Sequence, residues 1–297
     1  MKEYAVTKDS AGQRADRFLS RAAPGLPPSA IQKAFRKKDV KRNGRPCRAD
    51  ERLAEGDVVR VYALDAHAHA QRKDERVKMK EYGTLGVGSI VYEDERMLVL
   101  HKPPGVPSQP DFEEMARAYV RNCQLSIVNC QLFTPSLCHR LDRNTEGLLL
   151  FAKTGEALRD ITEKIRRREV VKTYRCAVEG VPSPAKGEWR DYLWKDAVEK
   201  RVYARKSPSP GAKEAVLRYA VLQSVGGKSL LEIELVTGRT HQIRVQCASR
   251  GFPVLGDGKY GKGRKGEPLA LCAVKIKLDG RVFEIGAGAP PFRQFSV

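Results

Sequence analysis

A chain of 297 residues with 55 Lys+Arg against 36 Asp+Glu carries a formal net charge of +19, which favours a polyanionic partner, either nucleic acid or an anionic membrane surface. No apolar run approaches the ~20 residues that span a bilayer, and the opening residues Met1 to Val6 have no signal-peptide core. Nucleic acid rather than membrane is therefore the expected partner, and the cytoplasm the expected compartment. The length suits one large unit plus a small one. Seven cysteines (Cys47, Cys123, Cys130, Cys138, Cys176, Cys247 and Cys272) form an odd set without a Cys-x-x-Cys pair. Reduced, mostly buried thiols are expected, not a disulfide framework or a zinc ribbon. The spacing of Cys123, Cys130, Cys138 and His139 matches no standard metal site, and no metal is expected.

Residues 1–64 read as a small, separate unit. From Lys33 to Arg48 there are eight basic residues and one acid, Asp39. Ala30 and Ala34, like Ile31 and Phe35, recur at four-residue spacing, which predicts a short amphipathic helix with its cations outward. Asn43-Gly44 is a turn signal, and Val58 to Tyr62 reads as a strand after the Gly56-Asp57 turn. Such a basic run can be a solvated face or a grip on phosphates; Lys33, Arg36, Lys37, Lys38, Lys41, Arg42 and Arg45 are the candidates for RNA contact. Residues 65–88 read as a polar linker. The His67-x-His69 pair within it is read as part of the connector, not as a metal site.

From 89 to 297 short β-type runs dominate: Met97–Leu100, Leu148–Phe151, Thr173–Val178, Ala215–Leu222, Leu230–Val236, Val274–Leu278 and Val282–Ile285. Several alternate apolar with polar, as half-buried antiparallel strands do. Thr154 is placed to cap a helix through Leu158, Ile161 and Ile165. Its basic end, Arg166-Arg167-Arg168, suits the negative pole of the helix dipole and could equally touch RNA; the sequence leaves both open. The mixture is α+β: a large, mainly antiparallel sheet with flanking helices.

The most informative run is His139-Arg140-Leu141-Asp142-Arg143-Asn144-Thr145-Glu146-Gly147, followed by an apolar strand. Neighbouring cations favour the ionised form of a carboxylate, and an ionised carboxylate can act as a nucleophile. On that run alone, a structural ion pair between Asp142 and Arg140 or Arg143 is the more ordinary reading, since paired acids are common. Lys172 and Tyr174 fall two apart, on one face of a strand. Thr237-Gly238-Arg239-Thr240-His241-Gln242-Ile243-Arg244-Val245 reads as a loop entering a strand at Thr240, with Gln242 and Arg244 sharing one face. A charged Arg244 among apolar neighbours needs a partner, and Asp142 is the candidate.

These three segments, in this order, resemble the signature of the RluA-type pseudouridine synthases, and the likeness covers roughly residues 89 to 290. The first 64 residues resemble the alpha-L RNA-binding domain shared with a small-subunit ribosomal protein. The resemblance implies a mixed sheet crossed by a central cleft, no cofactor, and isomerisation of uridine to pseudouridine on a nucleotide taken out of its stack. It makes Asp142 the nucleophile and Arg244 its cationic companion. Tyr174 would stack on the target base, and the family's tyrosine is also a candidate general base. Arg140 would intrude into the RNA to hold the flipped state, and Leu271 would border the uracil pocket. Arg239 and His241 would support the loop or bind phosphate, and the Gly256-Asp257 and Lys259-Tyr260-Gly261 loop would be structural. Ribosomal RNA is the expected substrate, large-subunit RNA above all, with transfer RNA as the alternative; a monomer is expected. Departures from the family pattern are Glu146 for serine, Gln246 and Cys272 for histidines, and His101 in an Asn-Lys-Pro-Ala-Gly segment. Two other classes of function are a non-catalytic RNA-binding or assembly factor, and a glycoside hydrolase pairing Asp142 with Glu146.

Overall fold

The computed structural model describes residues 1–23, 28–62, 85–86, 88–123, 133–264, 266–286 and 292–295. Nearly all of the 65–88 connector, with His67 and His69, lies outside these residues, as does Cys130. The first stretch contains β1 (Lys2–Ala5), α1 (Ala15–Ala22), α2 (Pro28–Arg36), β2 (Val40–Arg42), β3 (Arg45–Pro46) and β4 (Val58–Val61). They build a four-stranded sheet in the order β1-β4-β2-β3. Phe18, Leu19, Ile31, Val40, Leu53 and Val59 close its core. Asn43 and Gly44 both take positive φ (48° and 82°), which is the geometry a two-residue hairpin turn demands of Asn-Gly.

The rest of the described chain is organised on a second sheet. Its elements are β5 (Ile90–Glu93), β6 (Met97–Lys102), α3 (Glu113–Cys123), β7 (Ser136–Leu137), β8 (Glu146–Ala152), α4 (Gly155–Arg166), β9 (Val171–Glu179), β10 (Lys186–Asp196), β11 (Arg201–Arg205), β12 (Lys213–Val225), β13 (Lys228–Leu235), α5 (Gln242–Ala248), β14 (Leu271–Leu278) and β15 (Arg281–Glu284). Eleven strands run β11-β10-β12-β13-β9-β14-β8-β6-β5, with β15 added to β14 and β7 to β8. Pairing is antiparallel except between β8 and β14, where Cys272 faces Glu146 and Ala273 faces Gly147 in parallel. The sheet is mixed and mainly antiparallel, as read from the strand pattern.

β8 explains why the Leu148–Phe151 run is apolar without alternation. Leu149 and Phe151 enter a core with Phe112, Tyr174 and Ile233. Leu148 and Leu150 enter a second core, on the opposite face, with Ile161 and Ile276. A strand covered on both sides has no polar face to offer. α4 supplies part of the second cover, and Thr154 caps it by accepting the Ala157 N–H (3.1 Å).

The four-stranded unit rests on α4. Arg159 donates to the carbonyls of Lys8, Asp9 and Ala11 at 3.0, 3.2 and 2.9 Å. A Cβ at Gly155 would stand 2.0 Å from the Asp9 carbonyl oxygen, so the close approach of the two units depends on the missing side chain.

Candidate active site

Asp142 lies in the loop between β7 and β8, not in a strand. The loop is fastened at several points. Lys102, fully buried at the end of β6, donates to the carbonyls of Pro103, Val106 and Arg143 at 2.7, 2.9 and 3.0 Å. Burial draws its pKa down to about 8 against the pull of Asp142 and Glu146. Three acceptors around one ammonium use all its protons. Ser108 Oγ donates to the Leu141 carbonyl (2.8 Å) and accepts the Leu141 N–H (3.0 Å). Arg143 Nε donates to the Gly105 carbonyl (2.9 Å). Backbone on both sides of Asp142 is thus tied to residues 102–108.

Neither flanking arginine pairs with Asp142. Its cation comes from far along the chain: Arg244 Nη1 donates to Asp142 Oδ2 at 3.3 Å. Arg244 stands in α5, not in the strand expected over Thr240–Val245. His241 turns the chain with φ +54°, and Gln242 to Cys247 are all buried. A short helix covered on every side has no polar face, so its polar–apolar alternation imitates a strand. Arg244 also makes a paired contact with Asp257, Nε to Oδ2 and Nη2 to Oδ1, both 2.8 Å. Burial works to raise the Asp257 pKa, but the Arg244 hydrogen bonds and charge outweigh it and hold the carboxyl below its usual range. Arg244 is buried too, yet its two carboxylate partners raise its pKa and it stays a cation. Asp257 sits in the loop expected to be purely structural; no spacing in the sequence links it to Arg244.

His241 Nε2 is 3.9 Å from Asp142 Oδ2. Its Nδ1 lies 2.7 Å from Tyr260 Oη, which itself accepts the Val202 N–H (3.1 Å). Tyr260 thus joins the imidazole to the Val202 backbone, and Nε2 faces Asp142. Burial lowers the His241 pKa despite Asp142, with Arg244 and Lys259 adding to the fall, so the ring is neutral at pH 7. Gln242 stitches the preceding loop. Its Oε1 accepts from Thr237 Oγ1 (2.8 Å) and the Arg239 N–H (3.0 Å), and its Nε2 donates to the Val216 carbonyl (3.0 Å).

These groups border a cleft of about 860 Å³, which Tyr174, Leu271, Arg140 and Arg239 also line. That volume suits a nucleotide-sized ligand. Asp142 keeps a quarter of its side chain exposed there. Tyr174 comes from β9 on the same face as Lys172, as the two-residue spacing requires. Burial, then the charge of Asp142, raises its pKa, so it remains a neutral phenol: a flat surface with one polar end, and a poor proton acceptor. Leu271 opens β14 beside it. Arg239 anchors through Nε on the Glu214 carbonyl (2.8 Å), while Arg140 is exposed with no polar partner among the described residues.

Glu146 pairs with His101 (3.0 Å) and does not line the cleft, so it cannot complete a carboxylate pair with Asp142. Gln246 is buried away from Asp142, donating to Asp191 Oδ2 (2.8 Å). Cys272 is buried behind the cleft wall. His139 Nε2 accepts the Leu150 N–H (3.2 Å), and burial followed by Lys172 pushes its pKa to about 3; it braces the strand in its neutral form. Of the basic run in the first unit, Arg42 is committed to Asp57 (2.7 Å), and Lys41 lies over the Tyr62 ring (4.8 Å). Lys33, Arg36, Lys37, Lys38 and Arg45 carry no ion pair among the described residues.

Comparison with known proteins adds independent findings. The family described as RNA pseudouridylate synthase matches residues 96–249. Ribosomal large subunit pseudouridine synthase C of Vibrio vulnificus (strain CMCP6) is 31% identical over 266 residues, covering 87% of this chain and 80% of that protein. The protein of the same name from Escherichia coli (strain K12) is 30% identical over 269 residues, covering 88% and 80%. Among solved structures, human RNA pseudouridylate synthase domain containing 4 superposes with a TM-score of 0.56 at 23% identity, over 67% of this chain and 88% of that one. Human RNA pseudouridylate synthase domain containing 1 gives 0.54 at 25% identity, over 68% and 83%.

Proposed function

Since the chain belongs to the RNA pseudouridylate synthase family, we propose that it isomerises uridines of large-subunit ribosomal RNA, with Asp142 as the nucleophile. The observation that carries the assignment is the 3.3 Å contact between a partly exposed Asp142 and the buried Arg244, with Tyr174 in the same cleft. The choice of ribosomal RNA rests on the names of the curated relatives.

The reaction breaks the bond between N1 of uracil and C1′ of ribose, turns the base, and joins C5 to C1′. The proton on C5 is lost and N1 gains one, so nothing is oxidised and no cofactor enters. Asp142 reaches the nucleotide only when the base has left its stack. Arg244, fixed by Asp257 from behind, presents one Nη to Asp142 and keeps the carboxylate aimed into the cleft. Tyr174 and Leu271 offer flat and apolar surface to the uracil, and Arg140 fills the space the base vacates. The first 62 residues, with Lys33, Arg36, Lys37, Lys38 and Arg45 outward, grip RNA phosphates away from the cleft.

Asp142→Asn is expected to abolish turnover while leaving RNA affinity within about twofold, because one neutralised carboxylate removes no phosphate contact. Release of tritium from RNA labelled at uracil C5 measures turnover directly. Carbodiimide labelling with primer extension on ribosomal RNA from a strain lacking the gene identifies the site. If every pseudouridine of the large-subunit RNA persists in that strain, the substrate assignment fails.

A further inference from the structure

α4 ends in a way its sequence makes costly. The Arg168 N–H bonds the Ile165 carbonyl (3.2 Å) and the Glu169 N–H bonds the Lys164 carbonyl (2.9 Å). This double closure is the helix-ending motif that places the residue just after the C-cap in the left-handed region. Arg168 occupies that position with φ +64°. Glycine is the residue that accepts such a φ without penalty, and a long side chain there is uncommon.

The helix does not need this arginine. Arg166 and Arg167 already bring cations to the C-terminal pole, and both are held by Glu163 at 2.8 Å through Nε. Arg168 has no hydrogen-bonding or ionic side-chain partner among the described residues. Its side chain is exposed and borders the same cleft as Asp142, Arg140 and Tyr174. A strained, unpaired guanidinium at the mouth of a nucleotide-sized cleft is a planar fork suited to bond two oxygens of a phosphate.

We propose that Arg168 is a substrate-binding residue, and that it holds a backbone phosphate next to the everted uridine. This rests on the pseudouridine synthase reading above and adds to it a residue that positions the strand at the cleft mouth. It also accounts for the retained strain: the side chain is kept for its ligand, not for the helix.

Arg168→Gly separates the two roles, because relief of φ strain and loss of a phosphate contact act in opposite directions. Relative to wild type, the variant is expected to melt about 2 °C higher. Its KM for C5-tritiated ribosomal RNA should rise roughly fivefold or more, with kcat changed less than twofold. The log–log salt slope of RNA binding, followed by fluorescence anisotropy, should fall in magnitude by about 0.7 to 0.9. Arg168→Lys should keep most of the affinity and all of the strain. If Arg168→Gly leaves both KM and salt slope at the wild-type value, the inference is overturned. It is equally overturned if Arg168→Gly melts lower and Arg168→Lys restores melting without any change in KM. A wild-type protein that releases no tritium defeats the enzymatic reading instead, while the anisotropy arm still decides whether Arg168 meets phosphate.

Discussion

Arg244 serves two carboxylates at once, and the division of labour follows from burial. Asp257 is fully buried behind it and Asp142 is partly exposed before it. Removing Asp257 strands a buried cation, which typically costs about 3–5 kcal/mol. Asp257→Asn is therefore expected to lower stability by that order at pH 7 and to cut turnover sharply, although Asp257 does not border the cleft. The pH dependence has a definite sign. The Asp257 pKa is depressed by folding, so its contribution is complete above about pH 4, the unfolded value, and disappears as pH falls through the folded one. Denaturation of wild type and Asp257→Asn at pH 7 and pH 3 checks this: the gap between them should narrow in acid. The sequence pointed to Asp142, Tyr174 and Arg244 because each sits in a distinctive local run. It could not point to Asp257, because nothing about a lone acid in a glycine-rich loop specifies which arginine it will back.

Strands with a clear period were readable from the chain alone. β9 alternates as drawn, and β8 is a continuous apolar run. β10 and β11 were not picked out, since their side chains mix charge with aromatic residues and give no clean period. α5 was read as a strand for the opposite reason, its complete burial. The β8–β14 pairing explains a further constraint. A Cβ at Gly147, where φ is +126°, would lie 2.4 to 2.7 Å from the backbone oxygen, nitrogen and Cα of Ala273. Gly147→Ala should force the two strands apart, at a cost on the order of 3 kcal/mol. Leu271 and the Asp142 loop flank that junction, so turnover should fall together with the chemical denaturation midpoint.

At the scale of the whole molecule, one helix touches both the first unit and the cleft. α4 carries the dock for the first unit near its start, at Gly155 and Arg159, and borders the cleft at its end. Its twelve residues span about 18 Å, which sets how far the docked unit stands from the cleft. Arg159→Ala removes three hydrogen bonds across the contact. Turnover of a short stem–loop should be unchanged, while KM on long ribosomal RNA should rise severalfold; steady-state kinetics on the two substrates provides the check. Net charge predicted a polyanion from composition alone. The docking of the first unit on α4 could not be predicted, because it depends on backbone carbonyls and on a glycine, and neither leaves a mark in charge or hydropathy.

The threefold socket around Lys102 has a use at the bench. An amine with every proton engaged and no solvent contact cannot meet an acylating reagent while the sheet is closed. In a timed pulse of an amine-reactive ester, Lys37 and Lys38 should be modified at once and Lys102 should stay untouched. Its slow labelling would then serve as a clock for opening of the catalytic half, readable by peptide mass in a sample too dilute for calorimetry.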